Sequence, residues 1–166
     1  MFKIFDINMK EVNIPKFGTI KIKNIIFDMN GTIQFKGQIS DEIVKKFNEL
    51  KKHYNIYLVS SDTRGNLSNI AQKLGVDYIK IAPTDITDAE EKNNVLLKLG
   101  KEQTIAVGNG NNDALMLKNA LLGIAIIGSE GASSKSILNS NVVFTDPLSA
   151  IDFLLDEKTM IATLRF

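Results

Sequence analysis

Set against roughly 150 residues per domain, a chain of 166 residues makes one domain with enough interior to fold alone. With 44% apolar and 23% charged residues it is no disordered chain, and 20 basic against 19 acidic residues leave no charge excess to grip a polyanion, so a nucleic-acid footprint is excluded. The absence of cysteine excludes disulfides and thiolate sites, and no apolar run is long enough for a membrane span or a signal peptide; a soluble cytoplasmic protein is expected.

The first residues, FKIFDI and TIKIK with Pro15 and Gly18 between them, alternate apolar with polar. That period predicts a half-exposed antiparallel hairpin over 1–22, an appendage at the edge of the fold. From Ile25 the rhythm changes to short unbroken apolar runs: IIF (25–27), IYLV (56–59), YIKIA (78–82), TIAV (104–107), GIAII (123–127) and VVF (142–144). Between them lie stretches of helical period. Ser40 with Asp41 and Glu42 opens one carrying Ile43, Val44, Phe47 and Leu50 on one face. Leu67, Ile70, Ala71 and Leu74 repeat the spacing before Gly75, and Val95, Leu96 and Leu99 do so before Gly100. Strands apolar on both faces, alternating with helices, predict an α/β fold with a central parallel sheet covered on both sides. The expected division is a core over 25–145 and a C-terminal helix and tail over 146–166.

Ligands of such folds bind beyond the carboxyl ends of the strands. There the sequence places Asp28, Met29, Asn30, Gly31 and Thr32 after the first run, Ser60, Ser61 and Asp62 after the second, and Gly108 to Asp113 after the fourth. Carboxylates, hydroxyls and a Gly/Asn loop converging on one crevice can hold a hard cation and present a nucleophile to a phosphoryl group, with Lys92 supplying positive charge. Each piece alone also has an ordinary explanation. Asn30-Gly31 is a strong hairpin-turn signal, Ser60 to Asp62 are helix-capping types, Lys92 reads as solvated surface, and GNGNND reads as a loop closing on Asp113 as a helix cap. His53 stands alone as a surface residue, and Met116 and Leu117 belong to the core.

FDMNGT (27–32), VSSD (59–62), EEKNNVLLKLG (90–100) and VGNGNNDALML (107–117) occur together, in this order. The set resembles the motifs of the haloacid dehalogenase superfamily, and within it the phosphorylation domain of P-type ATPases or a free-standing soluble relative of that domain. The resemblance covers residues 25–127 and implies a Rossmann-like fold of that superfamily. It further implies that Asp28 is a nucleophile forming an aspartyl-phosphate, that Ser60 binds a phosphoryl oxygen, and that Lys92 neutralises charge. Gly31, Thr32, Ser61 and Asn112 would line the phosphate. Magnesium would be held by Asp28, the Asn30 carbonyl, Asn109 and Asp113.

Two departures from the pattern matter. The second acid of family phosphatases is Asn30 here, and an amide does no acid-base work, so low turnover is expected. Asn109 stands where a metal-binding Asp is usual, removing one negative charge from the site. No room exists between the motifs for a cap, and an open site suits a macromolecular phosphate or burial by a partner, including a second copy meeting through the hairpin. Two functions follow as expectations: a magnesium-dependent phosphohydrolase, or a non-catalytic protein that binds phosphate and metal in a regulatory role.

Overall fold

The computed structural model describes residues 9–82 and 85–166. Strands β3 (Asn24–Phe27), β4 (Asn55–Ser60), β5 (Asp77–Lys80), β6 (Thr104–Gly108), β7 (Leu122–Ile126) and β8 (Val142–Phe144) form one sheet in the order β5-β4-β3-β6-β7-β8, parallel throughout. Every predicted apolar run is therefore a strand. The hairpin that Asn30-Gly31 might encode does not form; β3 pairs with β4 and β6, and the following segment makes only isolated bridges, Asn30 to Gln34 and Phe35 to Gln38, that shape a short flap.

Alternation along the strands sorts side chains into two cores. Ile25 and Phe27 of β3 join a cluster with α1 (Asp41–Leu50), α2 (Leu67–Leu74), α6 (Pro147–Leu155) and α7 (Glu157–Leu164). Ile26 faces the other way, with Val59, Ala106 and Ala125, toward α3 (Asp88–Leu99) and α4 (Ala114–Asn119), beside which lies the short α5 (Ser134–Leu138). The helix ends follow local chemistry. Ser40 accepts from the Ile43 N–H to open α1, Thr87 and Glu90 form a capping box at α3, and Gly75 closes α2 in the left-handed region. At 146–166 two helices stand in place of one helix and a tail, with Asp156 capping α7 and Met160 fully buried.

β1 (Lys10–Ile14) and β2 (Gly18–Ile22) form an N-terminal antiparallel hairpin, a sheet of its own, whose second strand holds most of the expected TIKIK run but whose first is KEVNI, a segment the alternation did not single out; FKIFDI lies outside the described residues. Its inner row, Val12, Ile14, Ile20 and Ile22, is buried in the first core, and β1 packs on α7. The outward row is polar, with an exposed Glu11–Lys21 ion pair at 2.9 Å, and the apolar row is used within the chain. Between β3 and β4 the described residues hold only the flap and α1, and between β4 and α3 only α2, β5 and the short connection 81–87, so neither stretch carries a cap.

Candidate active site at the carboxyl ends of the strands

Parallel register lines Phe27 up with Leu58 on one side and Val107 on the other, and the Asp28 N–H still bonds to the Val107 carbonyl at 2.8 Å. Asp28 is thus the first residue beyond the ladder at the middle of the sheet. The residue is only 6% exposed. Lys92 of α3 reaches it, with Nζ donating to Asp28 Oδ1 at 2.6 Å and to Asp113 Oδ1 at 2.6 Å.

Lys92 is 1% exposed and Asp113 is 0% exposed. The reading of Lys92 as solvated surface is therefore overturned. The signal was in the sequence: Lys92 sits at i, with Val95, Leu96 and Leu99 at i+3, i+4 and i+7, so it shares the buried face of α3. Nor does Asp113 cap α4. Its Oδ2 accepts from the backbone N–H groups of Asn109 (2.9 Å) and Gly110 (2.8 Å), folding the 108–113 loop around the carboxylate. That turn needs Gly108, because a Cβ there would lie 2.5 Å from Asp113 Cγ.

Thr32 closes the other side. Its hydroxyl lies 3.1 Å from Asp28 Oδ2 and 3.2 Å from Asn109 Oδ1, one proton shared between two acceptors. Asn109 in turn donates from Nδ2 to the Gly131 carbonyl at 3.0 Å, and its own carbonyl accepts from the Ser133 N–H at 2.8 Å. Ser136 Oγ bonds the Gly110 carbonyl. The segment 131–136 thus braces the loop, a role the sequence reading missed because small polar residues there look like any loop. Gly31 is required by contact and by conformation: φ is +79°, and a Cβ would meet Asn109 Nδ2 at 2.4 Å.

Of the residues picked from sequence, the structure joins Asp28, Thr32, Lys92, Asn109 and Asp113 in one hydrogen-bonded cluster, with Asn30 and Gly31 in the loop between. Ser60 is buried at the end of β4, accepting from the Asp62 N–H at 3.1 Å; Ser61 and Asn112 are half-buried and take no part in the bonds joining the cluster. Asp62 itself does structural work, bonding the Leu67 N–H at 2.9 Å and Lys80 at 3.1 Å.

Two carboxylates and one ammonium leave this enclosed cluster net negative. Burial, and then repulsion from Asp113, push the Asp28 carboxyl up to about 6 against the pull of Lys92. For Lys92, burial disfavours the charge, but the two carboxylates outweigh it and hold the ammonium above its ordinary range. Asp28 Oδ2 and Asn109 Oδ1, held on one hydroxyl, are hard oxygen donors suited to a small divalent cation. Asp28 and Asp113 each accept hydrogen bonds on both carboxylate oxygens, and among the described residues no three His, Cys, Asp or Glu side chains gather in a metal-holding group. With Asp113 on the same ammonium and backbone carbonyls beside them, this hard-oxygen donor set fits Mg²⁺.

The model of the haloacid dehalogenase-like hydrolases matches residues 33–120. An uncharacterized protein of Methanocaldococcus jannaschii is 50% identical over 86 residues, 52% of this chain and 87% of that protein. A chloroplastic copper-transporting ATPase of Arabidopsis thaliana is 27% identical over 105 residues, 62% of this chain but 11% of that protein. Among solved structures, 3-deoxy-D-manno-octulosonate 8-phosphate phosphatase from Moraxella catarrhalis, in complex with magnesium, phosphate and its sugar, superposes with a TM-score of 0.67 at 16% identity, covering 87% of this chain and 94% of that one.

Proposed function

The chain belongs to the haloacid dehalogenase-like hydrolases, and from that premise we propose that it is a magnesium-dependent phosphohydrolase working through an aspartyl-phosphate on Asp28. The observation that carries this reading is the buried Asp28–Lys92–Asp113 cluster at the carboxyl edge of the sheet, with Lys92 2.6 Å from each carboxylate. A carboxylate fixed by Lys92 on one oxygen and Thr32 on the other is held as a nucleophile. It attacks phosphorus, the Asp28 oxygen–phosphorus bond forms, and the ester oxygen leaves opposite to it. Lys92, anchored by Asp113, offsets charge as the phosphoryl group approaches, and Ser60 and Asn112 hold phosphoryl oxygens. Asp28, Asp113, Asn109 and the Asn30 carbonyl would hold the magnesium ion, which when bound lets two anions approach each other. The co-crystallised magnesium and phosphate of the Moraxella phosphatase support a divalent metal and a phosphorylated substrate here.

Asn30 has no proton to give the leaving group and cannot deprotonate water, so turnover is slow and phospho-Asp28 is long-lived. Lacking a cap, the site takes a phosphate carried on a macromolecule, or is covered by a partner subunit. No helix among the described residues is long and apolar enough to cross a membrane. The test is covalent trapping. Beryllium fluoride with Mg²⁺ should add to Asp28, and acid-quenched protein exposed to an aryl phosphate should carry phosphate on the Asp28 peptide. The amides at Asn30 and Asn109 favour the regulatory alternative, in which binding is reversible and the Asp28 peptide stays unmodified.

A further inference from the structure

Gln34 is 1% exposed, and neither atom of its carboxamide has a hydrogen-bond partner. The Asn30 Oδ1, also buried, has none either. The two residues are paired. The Gln34 N–H bonds the Met29 carbonyl at 2.9 Å and its carbonyl accepts from the Gly31 N–H at 2.8 Å, so its backbone is clamped on both sides of Asn30. A parallel pairing of this kind sets both side chains on one face. Buried polar atoms are almost always satisfied, and of these three orphans on the loop that carries the nucleophile the two oxygens, Asn30 Oδ1 and Gln34 Oε1, call for a donor to account for them. Apolar residues of the same volume would fill the space without that cost.

Resting on the proposed aspartyl-phosphate, we infer that the Asn30 and Gln34 carboxamides seat the water that hydrolyses it. The two amide oxygens accept the water's protons and leave its lone pair free for phosphorus. The new oxygen–phosphorus bond forms as the Asp28 oxygen–phosphorus bond breaks, the electron pair returns to the Asp28 carboxylate, and both water protons end on phosphate oxygens. Neither amide takes a proton. The gain is orientation alone, as with the water-positioning Gln of GTP hydrolysis. Gln34 is then a residue of the hydrolytic half-reaction and is not needed when Asp28 is phosphorylated.

The experiment follows p-nitrophenyl phosphate cleavage with Mg²⁺ in rapid mixing, comparing the parent with Gln34→Met, which keeps the length and removes every hydrogen-bonding atom. The burst of p-nitrophenolate should keep its amplitude and rate. The steady-state rate should fall about 100-fold, the loss typical of a misplaced reactant, while the melting temperature stays equal or rises. If Gln34→Met does not unfold cooperatively, Gln34→Leu is read in the same way. A variant whose steady state matches the parent behind an intact burst overturns the inference and leaves the aspartyl-phosphate standing. A parent whose acid-quenched Asp28 peptide carries no phosphate overturns both.

Discussion

Replacing Lys92 by Met removes the one cation from a site holding two carboxylates, while keeping a side chain that fills the same space. At an effective dielectric of about 20, each 2.6 Å contact is worth about 6 kcal/mol of Coulomb attraction before the cost of desolvating the ammonium is counted. That cost disappears with the lysine, and removing one partner from a buried ion pair destabilises by about 3–5 kcal/mol net. With a urea slope of about 2 kcal/mol per molar for a domain of this size, the unfolding midpoint should move down by about 2 M. The loss must also depend on pH. Asp28 ionises at about 6 in the folded protein against 3.8 unfolded, so between those values the unfolded chain loses its proton first and stability falls as pH rises. Without Lys92 the folded carboxyl climbs further, and the fall continues to higher pH. Urea titrations of parent and Lys92→Met at pH 5 and pH 8 should show the larger gap at pH 8. A parent-like midpoint at pH 8, or a gap no larger there than at pH 5, would refute the charge balance described for this site.

Asp28→Asn removes a carboxylate whose ionisation burial opposes and leaves Lys92 and Asp113 as a neutral pair; stability at pH 8 should rise by about 1–3 kcal/mol. The same variant should lose both turnover and the magnesium-induced rise in melting temperature, read by calorimetry with and without the ion. Asn30→Asp restores an acid-base group at almost constant volume, so turnover of an aryl phosphate should rise about 100- to 10,000-fold and the steady-state level of phospho-Asp28 should fall; peptide mass analysis must first show that the parent's Asn30 has not deamidated. Gly31→Ala forces a side chain into a left-handed backbone and against Asn109, and should cost about 1–3 kcal/mol in denaturant unfolding together with most of the activity.

Periodicity settled much of this molecule before any coordinates. Runs such as IIF and TIAV are strands because apolar side chains on successive residues suit only a segment covered on both faces, and strand–helix alternation then leaves a parallel sheet. The motif order likewise identified Asp28, Lys92 and Asp113, and the substitutions at Asn30 and Asn109 are plain in the letters themselves. What lay beyond the sequence was pairing between distant segments. The hairpin's alternation told which row was apolar but not that α7, well over a hundred residues later, would cover part of it. Asp113 looked like a helix cap because local chemistry allows that, and only the approach of α3 turned it into the anchor of Lys92. Gln34 carried no signal at all. An amide in a flap reads as surface until folding buries it beside Asn30 with its hydrogen bonds unmade. Local propensity acts over a few residues, whereas burial and charge depend on which remote elements close over a side chain, and that is set only when the chain has packed.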